Sequence, residues 1–157
     1  MSKGFPYVNL FPWAPARIFA TSKYHPALRQ SVLSVAALIA QNDIGQGRDK
    51  AFDHLQNALK ILQDRISTAN IDEGLVVSSC LLAQFSIMLG EPQTARTHLA
   101  GMVVVLKQLS NGEGNSRGDS VVSPTKIEPL TMLIWRMAKR IDYITSIASG
   151  EAPVLPR

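Results

Sequence analysis

From Asp72 to Leu89 the chain reads D-E-G-L-V-V-S-S-C-L-L-A-Q-F-S-I-M-L, with no charged residue after Glu73. Such a run leaves no polar face for water, so it predicts a helix buried on every side. Asn70 and, three residues on, Glu73 read as a capping pair at its start. Gly90 can take the left-handed conformation that ends a helix, and Pro92 suits the first turn of the next one, where a missing N–H costs nothing. That next helix, to about Ser110, places Ala95, Leu99, Met102, Leu106 and Leu109 on one stripe and leaves Arg96, Thr97, Lys107 and Gln108 for water. A buried helix with a half-buried antiparallel neighbour is the expected nucleus.

Three further helices follow from the same spacing. His25 and Pro26 open one that runs to about Gln41, with Leu28, Val32, Val35 and Ile39 on one side. Ser31, Ser34, Ala36, Ala37 and Ala40 fill much of the rest, a surface that a neighbour can approach closely. After a glycine-containing turn over 42–47, residues 49–67 carry Phe52, Leu55, Leu59, Leu62 and Ile66 as a stripe, with Lys60, Gln63, Asp64 and Arg65 facing out. The last helix starts with Glu128 as cap and Pro129 in the first turn and ends at Gly150. It buries Leu130, Leu133, Met137, Ile141, Ile144 and Ala148, and Pro153 and Pro156 prevent its continuation. The fold class is therefore all-α: about five antiparallel helices in a bundle or short helical stack. No self-similarity at a fixed period supports a tandem repeat array.

Two stretches break the helical period. Residues 1–24 hold Phe5, Tyr7, Phe11, Trp13, Phe19 and Tyr24 among Pro6, Pro12 and Pro15. They are too apolar for a disordered tail and too proline-broken for a long helix. They read as an extended aromatic arm laid on the helical body or on a partner, with one short turn at most near Ala16 to Ala20. Residues 111–125 have the Gly, Ser and Asn content of a mobile loop. The domain division is an arm over 1–24 and a helical domain over 25–157.

Composition narrows the partners. A chain of 157 residues is one domain by length, and 46% hydrophobic against 18% charged is more apolar surface than one such core needs. A partner, or a larger assembly, would account for the excess. The net charge of +4 is spread thinly, its densest cluster being Arg136, Lys139 and Arg140. A solvated face explains that pattern better than a nucleic-acid stripe does. The single cysteine, Cys80, cannot form an internal disulfide, which favours a reducing compartment. The most apolar run, over 75–89, is shorter than the roughly 20 residues of a membrane span, and the prolines interrupt any secretory signal. A soluble intracellular protein without a membrane partner is expected.

Little in the sequence carries chemistry. His25, His54 and His98 lack the spacing or neighbouring cysteines of a metal site, and structural roles fit them better. Cys80 has no base on its own helix and reads as a small core residue. Gly112, Gly114 and Gly118 follow no strand and precede no Gly-Lys-Ser/Thr, so a plain linker fits them far better than a phosphate loop. The Arg117-Gly118-Asp119 tripeptide has no meaning in an intracellular chain. Asp142 stands out in R-M-A-K-R-I-D-Y-I, beside the apolar face of the last helix. If covered, its carboxylate needs a cation or backbone donors. One expectation is a structural ion pair with Arg29 that ties the two ends of the domain together; the other is a solvent-facing aspartate paired with Lys139.

Five short patterns occur in order: His25-Pro26-Ala27-Leu28-Arg29 before an alanine-rich helix, Ala58-Leu59, Leu81-Leu82 before Gly90, His98-Leu99-Ala100-Gly101, and Ile141-Asp142 before Gly150-Glu151-Ala152-Pro153. Together, over residues 24–156, they resemble the fungal-specific transcription factor domain. This is the all-helical middle homology region found downstream of the zinc binuclear cluster in fungal regulators. The resemblance implies a regulatory domain that acts through a small-molecule effector, a protein partner or self-association, not as an enzyme and without a cofactor. It also implies the nucleus, with the cytoplasm as the alternative. The family's DNA-contacting module needs six cysteines and adjacent basic residues, and this chain has one cysteine, so direct nucleic-acid binding is not expected. A stand-alone helical interaction scaffold, or a small-molecule-binding protein derived from that fold, is the alternative reading.

Overall fold

The computed structural model describes residues 14–44, 48–112 and 130–156. Among these residues there are six helices and no strand: α1 (Ala14–Ser22), α2 (Pro26–Ile44), α3 (Arg48–Ser67), α4 (Glu73–Met88), α5 (Pro92–Gly112) and α6 (Leu130–Ser149). They form a helical stack. α3 lies on α2, α2 on α4, and α5 and α6 close the far side of α4 and pack on each other.

α4 is the axis of this stack and touches each of the other five helices. Every residue from Gly74 to Ala83 is buried, as are Phe85 and Ser86. A helix in that position has no water to satisfy its serines, and two of the three turn back on the helix: Ser79 Oγ donates to Leu75 O (2.9 Å) and Ser86 Oγ to Leu82 O (3.0 Å), while Ser78 Oγ is buried with no hydrogen-bond partner. α4 ends in a Schellman turn, with Gly90 (φ 78°) donating to Ile87 O and Glu91 to Ser86 O. Pro92 opens α5 directly, and Ala95, Leu99 and Met102 are fully covered, as their spacing predicts.

The start of α4 differs from expectation. Asp72, not Asn70, is the N-cap: its backbone is extended and its Oδ1 accepts from Leu75 N (3.1 Å). Asn70 instead closes the Schellman turn of α3, donating its N–H to Arg65 O (2.9 Å) beside Ala69, which takes the left-handed conformation at φ 53°. Two helix ends meet within five residues here, and Asn70 serves the first.

The buried stripe of α3 is also rotated. Ala51, Ala58 and Leu62 are buried and Leu55 is half-buried, whereas Leu59 and Ile66 are exposed. α3 rests almost wholly on α2, whose Ser31 and Ser34 are small and buried, so the two backbones come close and alanines make the contact. Phe52 reaches past this seam to meet Phe85 of α4 edge-on, 5.9 Å between centroids. On α2 the same close packing covers Ala27, Leu28, Val35 and Leu38 and leaves Ile39 exposed.

The arm read over 1–24 contains a helix, α1, from Ala14. Pro15 falls in its first turn, where proline is tolerated, and Ile18 is buried in the core. Of the arm's described aromatic residues, Phe19 and Tyr24 are exposed instead of laid on the helical body. Residues 1–13, and all of the 111–125 loop except the helical Asn111 and Gly112, lie outside the described residues, as do Glu128 and Pro129. In α6, Leu133, Met137 and Ile141 are buried as expected, joined by Ile134, Ala138 and Thr145, while Ala148 is exposed.

Candidate functional site

Two polar clusters interrupt an otherwise apolar stack. The first holds the C-terminal segment. Gly150 takes φ 71° after α6 and turns the chain back. Glu151 then accepts from Arg96 Nε (3.1 Å) and from Gln93 Nε2 (2.8 Å), and Arg96 Nη2 donates to Ala152 O (2.7 Å). Two residues further, Asp142 Oδ1 accepts from Val154 N (2.9 Å) and Oδ2 from Leu155 N (2.8 Å). Asp142 is 2% exposed and Leu155 is 5% exposed, its side chain part of the core.

These contacts replace the expected ion pair. Asp142 is indeed covered, but its two oxygens meet backbone donors, and Arg29 is exposed on α2, a helix that packs on α4 rather than closely on α6. Two parallel amide bonds compensate a buried carboxylate without a cation. The pairing ties α6 to the segment that follows it instead of joining the two ends of the domain. Arg96, expected in water, is largely covered by that segment, and its Nη1 is buried with no hydrogen-bond partner. No short-range pattern links Arg96 to Glu151, 55 residues apart, so nothing in the sequence flags this contact.

The second cluster lies where three elements meet. Asp72 Oδ2 accepts from Arg65 Nη2 at the end of α3 (2.7 Å) and from His25 Nδ1 just before α2 (3.0 Å), while Oδ1 caps α4. Burial pushes the Asp72 carboxyl up, but the Arg65 hydrogen bond, the Leu75 amide and the charges of His25 and Arg65 outweigh it, so its pKa lies below the usual aspartate value. The His25 side chain packs against Gly74: a Cβ there would sit 2.5 Å from His25 Cγ and Nδ1. Only glycine allows this approach. Asp72 precedes the apolar run directly and is a common capping residue, which is the signal that could have marked it.

The remaining candidates take structural places. His54 Nδ1 donates to Gln30 Oε1 (2.8 Å) between α3 and α2. Burial lowers the pKa of His98 below the usual histidine range. Cys80 donates weakly to Ile134 O (3.9 Å), and burial pushes its thiol up to about 12, where no thiolate nucleophile forms at neutral pH. Among the described residues no group of three His, Cys, Asp or Glu could hold a metal ion, and no helix is long and apolar enough to cross a membrane. Gly114, Gly118 and the Arg117-Gly118-Asp119 tripeptide lie outside the described residues.

What the surface offers is contact area. On α2, Leu33, Ala36, Ile39 and Ala40 are exposed in a stretch with no charged residue. On α6, Met132, Tyr143 and Ile147 are 49%, 66% and 67% exposed. These features define an all-helical domain whose polar side chains brace segments and whose outer faces on α2 and α6 carry exposed apolar residues. The chain belongs to the fungal specific transcription factor domain family, whose model matches residues 14–157. That family is one of transcription regulators and not of enzymes, and no zinc cluster domain is detected in the chain. No curated protein and no solved structure matches it.

Proposed function

We propose that this chain is a regulatory domain of a fungal transcription regulator that works in the nucleus by receiving a partner or effector and contributes no DNA contact of its own. The observation that carries the reading is the family match over residues 14–157 in a chain whose only cysteine is Cys80, buried in α4. A binuclear zinc module needs six cysteine ligands, and Cys80 is sealed in the core. The exposed apolar residues of α2 and α6 supply surface of the kind that protein contacts use.

The test fuses the chain to a heterologous DNA-binding module upstream of a reporter in a fungal host. Reporter output that differs from that of the module alone supports the proposal; an identical output overturns it. Sequence-specific retention of DNA by the chain alone would overturn the clause about DNA contact. Self-association is a second reading, favoured by the uncharged exposed face of Leu33, Ala36, Ile39 and Ala40. Sedimentation at several concentrations decides it, and a strict monomer at all of them removes it.

A further inference from the structure

The segment that follows α6 is held the way a bound peptide is held. Gly150 reverses the chain, and the residues after it bridge α6 to α5. Glu151 meets Arg96 Nε and Gln93 Nε2 of α5, and Ala152 O accepts from Arg96 Nη2. Successive amides of a straight strand point to opposite sides, but the chain bends at Val154 and Leu155, which turns both amides onto the carboxylate of Asp142 on α6. Leu155 then enters the core. The side chains read are thus Glu151 and Leu155; the other contacts are to main chain, which any segment without proline at those two amides supplies. The fit is also incomplete. The Glu151 side chain is 52% exposed, so water screens its pairing, and Arg96 Nη1 is buried with no hydrogen-bond partner.

We propose that the surface between α5 and α6 is a peptide-recognition groove, that the segment over 150–155 is its autoinhibitory occupant, and that a partner protein displaces it with a non-helical segment carrying a carboxylate and, four residues on, an aliphatic side chain. The proposal rests on the reading of the chain as a partner-receiving regulatory domain and names the partner's chemistry. That chemistry is set by what the groove holds: Arg96 and Gln93 take an acid, Asp142 takes two adjacent free amides, and the Leu155 site takes an aliphatic group. The middle of a helix does not fit, because its amides are spent on its own carbonyls. A segment that places a further acceptor on Arg96 Nη1 gains a contact the resident one lacks. The partner competes with a tethered segment whose effective concentration is on the order of mM. A groove free for about one tenth of the time or less lowers the partner's apparent affinity tenfold or more, and loosening the resident segment restores it.

The probe is a fluorescein-labelled peptide with the sequence of residues 150–157, read by anisotropy on the full chain. Glu151→Lys with Leu155→Asp disables the resident segment and leaves Asp142, Arg96 and Gln93 in place. This variant should bind the probe with Kd on the order of 100 μM, at least about tenfold tighter than the unaltered chain does. N-methylation of the probe at the amides of Val154 and Leu155, or Asp142→Asn added to the variant, should weaken binding about tenfold or more. Helical circular dichroism and a cooperative melt show that the variants fold. Hydrogen exchange on the unaltered chain needs no variant: the Val154 and Leu155 amides should exchange at least about tenfold faster than those of α4. Exchange of both sets at one common rate, equal affinity for the probe and its N-methylated form, or no tighter binding by the variant would overturn the proposal. A dimer of the unaltered chain that the probe dissociates would make a second copy the occupant and overturn the commitment to a partner. A chain that alters the reporter without binding the probe leaves the regulatory reading intact and removes only the groove.

Discussion

Asp142→Asn tests the architecture most directly. The carboxylate accepts two buried amide hydrogen bonds at 2.9 and 2.8 Å. Asparagine keeps one acceptor, and its NH2 would then face the other amide, donor against donor. Losing one charge-assisted bond costs about 1.5–3 kcal/mol, and the amide left buried adds a similar desolvation term. The loss has a ceiling, because the segment can detach: release gives up both bonds and the burial of Leu155, the latter about 1.5–3 kcal/mol. The two terms together put the expected destabilisation at about 3–6 kcal/mol in urea melts. Hydrogen exchange locates it, with the Val154 and Leu155 amides losing protection before those of α4. Arg29→Ala should cost under about 0.5 kcal/mol, since its side chain is exposed. The reasoning fails if Asp142→Asn costs less than about 0.5 kcal/mol. It fails equally if Arg29→Ala matches it and the two are non-additive, which would restore the ion pair.

Three further outcomes follow from the core and the second cluster. Gly74→Ala drives a methyl group into the His25 ring and should cost about 1–3 kcal/mol, much of it recovered on adding His25→Ala; purely additive losses in the double-mutant cycle would contradict the packing. Because Asp72 has a folded pKa below its unfolded value, the unfolded chain binds more protons in that window. Its contribution to stability is present above the ordinary aspartate range and lost as pH falls through the folded pKa. Asp72→Asn should flatten the acid limb of a stability-versus-pH curve, and an unchanged limb would count against the cluster. Cys80, fully buried with its thiol pushed up to about 12, should react with a thiol reagent only at the rate of unfolding, so fast labelling of the native chain would show α4 to be open.

The helices themselves were legible because each buries residues at a helical period, and α4 most of all because absence of charge is a signal that needs no partner to interpret. What was not legible depended on who the neighbour is. The stripe of α3 reads through its largest residues as Leu59 and Ile66, yet the neighbour is a helix of serines and alanines, so Ala51 and Ala58 take the contact. The aromatic and proline content of residues 1–24 masked α1, whose nine residues include Ile18 as an anchor. At the candidate sites, the demand of Asp142 for donors was readable from its place beside an apolar face, but the identity of the donors was not. Backbone amides leave no mark in a sequence, whereas an arginine does, and so Arg29 drew attention that Val154 and Leu155 could not.

The same asymmetry bears on where the domain can rearrange. α4 is covered on all sides, and a helix without a free face cannot change partners without opening the whole stack. Rearrangement at lower cost is available at the periphery, where the C-terminal segment is held to α6 by two amide bonds, to the core by Leu155 and to α5 by the Arg96 to Glu151 pair. Releasing that segment exposes the far end of α6 while leaving α4 covered by α2 and α5. A signal confined to α4 would have to compete with the stability of the entire domain.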